Sequence, residues 1–452
     1  MNRICLLACA VAFCLGLPNM ARAGDSYFLQ RECQPKCVYA VQAKIQAQGT
    51  VNPSAAGKNS ALPMSVDGHF VYDEMLLDAA KNGTHRSVRY YREATAAIQV
   101  DKRRDNPALA EDNRLIVAAA DSKTMALASP RGPLTREELD LIDIPANTLV
   151  ADKILPGRKV KRGETWKIAD AALAQLVCVD VVSRNGVQCE LSEIDGSIAK
   201  IKYVGSLDAA VAGVATEIQI DGDAAFDLAK KCLTSIQMRI KERRPAGYIG
   251  PQMDIVANVE VQIEPRESSD LLTPAVVKEA TEIDPLAQPL VLKSEFGAFH
   301  FFYDRRWHVT RSEAELIVMR LIDRGELVAQ CNITPLPRLD EGKSVTIEEF
   351  QAEIQKSLGK RFDHFETVAE GKGAGDMKVL KVFAAGIVSE IPIQWRYYLA
   401  IAPNGRRLAL TYTLENELVP RFADADAAMT ESIEFDDPSP PAAAPNSDPS
   451  AK

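Results

Sequence analysis

Between residues 38 and 263 apolar and polar positions alternate in short runs, and glycine, asparagine or aspartate separates one run from the next. The clearest runs lie at 38–50, 65–76, 86–100, 113–120, 176–184, 187–194, 198–204, 215–221, 233–241 and 253–263. A period of two puts every second side chain on one face, so these runs predict strands, and together they predict a large, mainly antiparallel sheet. One helix interrupts them. Thr135-Arg136-Glu137-Glu138 after Gly132-Pro133 is a capping box and predicts a short helix over 136–142.

The pattern changes after Pro265. Residues 267–293 are rich in Pro, Ser, Thr, Ala and acidic groups without a sustained period, which predicts a linker over 265–294 with a helical turn near 275–281. Strands are expected at 299–303, 315–322, 327–334, 377–388, 394–402 and 407–415, with Pro403-Asn404-Gly405 turning the last hairpin. Thr346-Ile347-Glu348-Glu349 is a second capping box. Ile347, Phe350, Ile354 and Leu358 follow at helical spacing until Gly359 ends the helix. A last helix is expected over 417–431, with Phe422 and Met429 on one side. Residues 436–452 hold Pro, Ala, Ser and Asp with almost no large apolar group, the composition of a disordered tail.

The first 23 residues follow a different logic. Arg3 leads into an apolar run over 4–17, and Ala21-Arg22-Ala23 ends in small residues before Gly24. This is the pattern of a secretory signal peptide cleaved after Ala23, and it places the mature chain outside the cytoplasm, periplasmic or secreted. The run is short for a membrane span, so no stable span is expected after its removal. Cys9 lies too near the start to have a full apolar core ahead of it, which argues against lipid attachment there.

Three of the nine cysteines fall in that segment; Cys33, Cys37, Cys178, Cys189, Cys232 and Cys331 remain. An oxidising compartment permits disulfides. Cys33-Gln34-Pro35-Lys36-Cys37 can close in one turn as a structural bridge, although two free thiols fit the spacing as well. Around Asn185-Gly186, a preferred hairpin pair, residues 176–193 are expected to form a hairpin with Val182 facing Cys189. Cys178 would then lie roughly 13 Å further along at about 3.3 Å per residue, too far to bridge Cys189.

The net charge of −9 becomes −11 once Arg3 and Arg22 are removed. An acidic chain is a poor partner for nucleic acid or an anionic membrane surface. Arg86–Arg92, RSVRYYR, interleaves bases and aromatics but fits an ordinary strand better than a nucleic-acid platform. With 46% hydrophobic and 25% charged residues the composition is that of a globular protein.

The order of elements over 295–435 resembles the PsbP-like family. The residues that carry this are Phe299-His300-Phe301-Phe302-Tyr303 followed by Asp304-Arg305-Arg306-Trp307, the helix ending at Leu358, the paired strands around Trp395–Tyr398 and Leu408–Leu414, and the ending Glu431-Ser432-Ile433-Glu434-Phe435. The resemblance implies an α/β/α sandwich that acts as a binding or assembly module rather than an enzyme. Less specifically, the strands of 24–264 resemble the β half-barrels of LolA-type carriers, which implies an apolar face able to hold acyl chains. The expected fold class is therefore α+β, with a β-rich domain over 24–264 and an α/β/α sandwich over 295–435.

Chemical motifs add little. His69, His85, His300, His308 and His364 lack the spacing of a metal site, although His300 and His308 flank one expected turn. No serine-nucleophile elbow, zinc-protease helix or phosphate loop occurs. Gly371-Lys372-Gly373-Ala374-Gly375 precedes a strand and not a helix, so a mobile loop is expected. Glu137, Glu138, Asp140 and Asp143 are expected to face solvent near a helix start. No catalytic residue, metal or cofactor is assigned. The expectation is a non-catalytic binding or assembly protein of the cell envelope whose partner is a protein or an apolar ligand. A lipid carrier acting through the β-rich domain, and an enzyme whose site is assembled from distant residues, are the alternatives. Trp307 and Trp395 are expected to be core residues or, if exposed, partner anchors.

Overall fold

The alternating runs assemble into one open antiparallel sheet of thirteen strands. The computed structural model describes residues 25–32, 36–52, 61–77, 84–294 and 296–436; the expected signal segment with Cys9, the cysteine Cys33 and the tail beyond Asp436 lie outside the described residues. Neighbouring strands run Met125–Ala128, Leu115–Ala120, His85–Val100, Leu62–Leu76, Val38–Asn52, Gln252–Arg266, Cys232–Arg244, Val214–Asp227, Ile198–Val211, Gln188–Asp195 and Thr165–Trp166. Arg103–Asp105 adds beside His85–Val100, and Val181–Asn185 beside Ile198–Val211. The middle of the sheet joins residues far apart in sequence, since Val38 pairs with Arg266 and Asn52 with Gln252.

Period-two alternation gives this sheet one apolar face. Phe70, Tyr72, Ile218, Ile220, Ile236, Met238, Val259 and Val261 are all buried on it. Residues 134–177 cover that face with the helices Arg136–Ile142 and Asp170–Leu176, packing Leu139, Ile142, Leu149, Val150, Ile154, Leu173 and Leu176 into the same core. Each large side chain buried in this way contributes about 1.5–3 kcal/mol, which draws the covering segment down.

A buried ionic group pins the segment in register. Arg89 donates through Nε to Glu74 Oε1 at 2.8 Å and through Nη2 to Asn147 Oδ1 at 2.5 Å and Thr148 Oγ1 at 3.2 Å. Both charged side chains are 1% exposed. Burial alone would push the Glu74 carboxyl up, but the Arg89 charge and the bonds from Ser87 and Arg89 outweigh it and hold its pKa below the ordinary value.

The expected hairpin over 176–193 does not form. Leu176 ends a helix, and the strands Val181–Asn185 and Gln188–Asp195 lie in line along the same neighbour, Ile198–Val211. Asn185 is held by bonds from its amide to Ile168 O and Asp170, so Asn185-Gly186 makes a kink between two collinear strands and not a reversal. Cys178 and Cys189 are both free thiols, as are Cys232 and Cys331.

The segment expected as a linker is packed. Pro274–Thr281 is a helix capped by Thr273, Leu290–Ser294 is a strand, and Leu272, Ala280 and Leu290 are buried. Val88, Leu115 and Val117 on the outer face of the sheet supply the apolar surface that orders it.

The second half of the chain corrects the expected fold class. Its strands form a seven-stranded antiparallel sheet in the order Trp307–Ser312, Ile317–Asp323, Glu326–Leu336, Arg407–Glu415, Ile391–Ile401, Lys378–Val388 and Phe362–Lys372. The only long helix on it, among the described residues, is Ile347–Leu358, which buries Phe350, Ile354 and Leu358 over Leu380, Val382 and Trp395. The opposite face meets a three-stranded sheet of Leu290–Ser294, Phe299–Tyr303 and Glu434–Phe435, together with two short helices. Helices this few and short do not make the two outer layers of an α/β/α sandwich. The protein is mostly antiparallel β in several sheets.

The single helix expected over 417–431 is broken into Val419–Phe422 and Ala425–Glu431 by Ala423, whose φ is +48°. Buried Arg396 donates to the Ala423 carbonyl at 3.1 Å and to Asp426 at 2.9 Å, which fixes the break. Strand Phe362–Lys372, not foreseen from its polar sequence, is an edge that buries little.

The two cores make different demands on stability. Trp395→Ala should cost about 3–5 kcal/mol in a denaturant titration, since the indole is 5% exposed under Ile347–Leu358. Arg89→Met should cost about 3–5 kcal/mol at pH 7 because it strands the Glu74 charge. With Arg89 gone, burial raises the Glu74 pKa, so that penalty should begin to shrink already above the ordinary value of about 4.3 as the pH falls and the carboxyl protonates. A loss that is the same at pH 3.5 and pH 7 would show that the charge is not what matters.

Candidate functional site

The end of the thirteen-stranded sheet and the three-stranded sheet leave an opening between them. The end strand Met125–Ala128 has no further strand beside it among the described residues. Opposite it come Leu286–Pro289, the turn after Phe299–Tyr303, and Ala428 and Ser432. Together they enclose a mainly apolar crevice of about 630 Å³. Leu286 and Phe302 stand on its wall, 44% and 36% exposed.

Two arginines hold the crevice in shape. Arg305 donates from Nε to Gln288 O and from Nη2 to Leu127 O, both at 2.8 Å, tying the turn to the sheet edge. Arg136, on the covering helix, donates from Nη2 to Arg305 O at 2.5 Å and Trp307 O at 3.1 Å. Val291 N donates to Leu134 O at 2.9 Å. Further along, Gly213 and Gly325 meet backbone to backbone, where a Cβ on Gly213 would lie 1.8 Å from Gly325 O.

Behind the arginines sits a group of titratable side chains. The Asp143 carboxyl is pushed up to about 6, by burial first and then by Asp140. The residue is nonetheless exposed to solvent. Cys178 Sγ lies 4.0 Å from Asp143 Oδ1, and burial together with that carboxylate pushes the thiol well up. Burial and Arg136 push His308 down to about 4. At neutral pH the thiol is therefore protonated and the imidazole uncharged.

Of the residues singled out from sequence, Trp307 is fully buried, edge-on to Tyr412 and Phe422, and its indole N–H has no partner. Trp395 is buried in the other core, so both are core residues and neither offers a surface anchor. The Cys33–Cys37 pairing involves a cysteine outside the described residues; Cys37 is half-buried. His300 and His308 engage different surroundings, His300 Nδ1 lying 2.7 Å from Asp436 Oδ1 and His308 facing Arg136. Among the described residues no cluster has the makings of a metal site.

Of the four acids expected to face solvent, Glu138 is buried instead. It accepts from Asn113 Nδ2 at 2.9 Å and closes the capping box on Thr135. Arg86–Arg92 is an interior strand in which Arg89 points into the core. Arg305 and Arg136 were not picked out from sequence, because a lone arginine in a polar turn and one at a helix start carry no spacing signal.

No protein-family model matches this sequence, and no curated protein matches it. Among solved structures, cyanobacterial PsbP (CyanoP) from Synechocystis sp. PCC 6803 is similar over 32% of this chain and 92% of its own, at 11% identity and a TM-score of 0.27. The translocator domain of the autotransporter NalP from Neisseria meningitidis covers 85% of this chain and 88% of its own at 6% identity, TM-score 0.15. The outer membrane protein OprD from Pseudomonas aeruginosa covers 86% and 96% at 8% identity, TM-score 0.13. The chain thus bears a weak PsbP-like resemblance over about a third of its length. Among the described residues no helix is long and apolar enough to cross a membrane.

The raised Asp143 pKa has a measurable consequence. Between an unfolded value of about 3.9 and about 6 in the fold, the folded state binds more protons. Its contribution to stability is therefore full below the lower value and is lost as the pH rises through the upper one. Asp143→Asn should stabilise the protein, relative to the parent, more at pH 8 than at pH 5. Equal differences in midpoint at the two pH values would contradict the shift.

Proposed function

We propose that this protein is a non-catalytic binding protein that works outside the cytoplasm and takes an apolar ligand in the crevice between the end strand of its thirteen-stranded sheet and its three-stranded sheet. The observation that carries this reading is the crevice itself, an open, mostly apolar space whose volume lies within the roughly 300–1,000 Å³ of small-molecule sites. Exposed Leu286 and Phe302 give such a ligand two apolar contacts on the crevice wall. Placement outside the cytoplasm rests on the basic, apolar and small-residue order of the first 23 residues. The apolar face of the thirteen-stranded sheet is a weaker candidate for the ligand, because residues 134–177 already fill it.

The neutral hydrophobic dye N-phenyl-1-naphthylamine tests this reading. Its fluorescence should rise on mixing with the protein, and Leu286→Asp and Phe302→Asp should each weaken binding about tenfold or more, a cost of about 1.4 kcal/mol. Both side chains are solvent-exposed, so stability should move by no more than about 0.5 kcal/mol. Dye binding that survives both substitutions unchanged would remove the crevice as the ligand site.

A further inference from the structure

Arg305 stands on the crevice wall with an unusual set of partners. Its two bonds go to neutral carbonyls, Gln288 O and Leu127 O. No carboxylate among the described residues comes within ion-pair distance of it, whereas its neighbour Arg306 has Asp304 at 2.9 Å and Asp323 at 3.8 Å. The second cation, Arg136, lies directly behind, bonded to the Arg305 carbonyl, and its own nearest carboxylate is Asp140 at 3.7 Å. Burial and repulsion from Arg136 lower the Arg305 pKa, while Asp143 and Asp304 act on it only from a distance. A guanidinium drawn partly out of water without a counter-charge is costly, and an anion seated against it relieves that cost.

We propose that the crevice binds a single-chain amphiphile with a carboxylate head, the head seated on Arg305 and the hydrocarbon chain lying against Met125, Leu286, Pro289 and Phe302. This rests on the crevice being the ligand site. Charge complementarity selects the head, since the charged residues lining the crevice are Arg305, Arg306 and Asp304, and Asp304 pairs with Arg306, which leaves Arg305 as the unpaired positive group of an apolar wall. The crevice, about 630 Å³ and open to solvent, has the size of a small-molecule site and so suits a single hydrocarbon chain.

Displacement of N-phenyl-1-naphthylamine by hexadecanoate and by hexadecanol, which share a chain and differ in charge, tests the assignment. The parent protein should bind hexadecanoate about tenfold or more tighter than hexadecanol, the order expected for a charge-assisted hydrogen bond. In Arg305→Met the two should come within about threefold, with hexadecanol affinity retained and the far-ultraviolet circular dichroism unchanged. Equal affinities for acid and alcohol in the parent overturn the carboxylate assignment while leaving an apolar site in place, and that comparison stands even if the variant misfolds. Much tighter displacement by a lysophosphatidic acid of the same chain overturns it in favour of a phosphate head. Dye binding insensitive to Leu286→Asp and Phe302→Asp overturns the crevice itself.

Discussion

Everything in this protein depends on covering one apolar face of an unusually wide sheet. Thirteen antiparallel strands with period-two alternation present a broad surface of Ile, Val, Leu, Phe and Tyr. Such a surface cannot stay in water without driving association. Residues 134–177 supply the cover. The Arg89–Glu74 pair fixes where that cover sits, because Arg89 Nη2 finds its acceptors only when Asn147 and Thr148 arrive beside it. The apolar area provides the drive, and the buried ions provide the register.

The same cover sets up the crevice. Helix Arg136–Ile142 leaves Arg136 at its outer end, where it reaches the backbone of Arg305 and Trp307 on the second sheet. Arg305 in turn reaches back to the first sheet's end strand. Two arginines bonded to carbonyls thus tie the covering segment and the first sheet to the turn before Trp307, Arg136 with Asp140 beside it and Arg305 with no paired carboxylate among the described residues. The core is continuous across this junction, running from the covering segment through Leu290, Phe299, Phe301 and Tyr303 to Trp307. A crevice backed by continuous core is held open by packing, which is what a preformed ligand site requires.

Local chemistry was legible in the sequence wherever it was repeated or capped. The capping boxes at Thr135 and Thr346 start helices at Arg136 and Ile347, as their spacing predicts, and long alternating runs such as 38–50 and 253–263 are strands. It was misleading where tertiary partners decided. Asn185-Gly186 has the chemistry of a hairpin tip, yet a shared neighbouring strand turns it into a kink. The stretch 267–293 lacks periodicity because it covers only a small patch, and it is ordered by Val88, Leu115 and Val117. A continuous helix over 417–431 is interrupted because Arg396 bonds to the Ala423 carbonyl.

By itself the sequence determined the acidic charge, the β-rich character of the first half, the two capped helices and the burial of both Trp307 and Trp395, because each depends on residue type and short-range spacing. The order of strands, the pairing of Val38–Asn52 with Gln252–Arg266, the filling of the sheet's apolar face and the replacement of an expected α/β/α sandwich by stacked antiparallel sheets were decided only in three dimensions. So was the crevice, whose wall gathers Met125, Leu286, Phe302 and Arg305. Many of these contacts join residues more than a hundred positions apart, as Val38 with Arg266 and Arg305 with Leu127, and their energy comes from surfaces that exist only after both partners have folded.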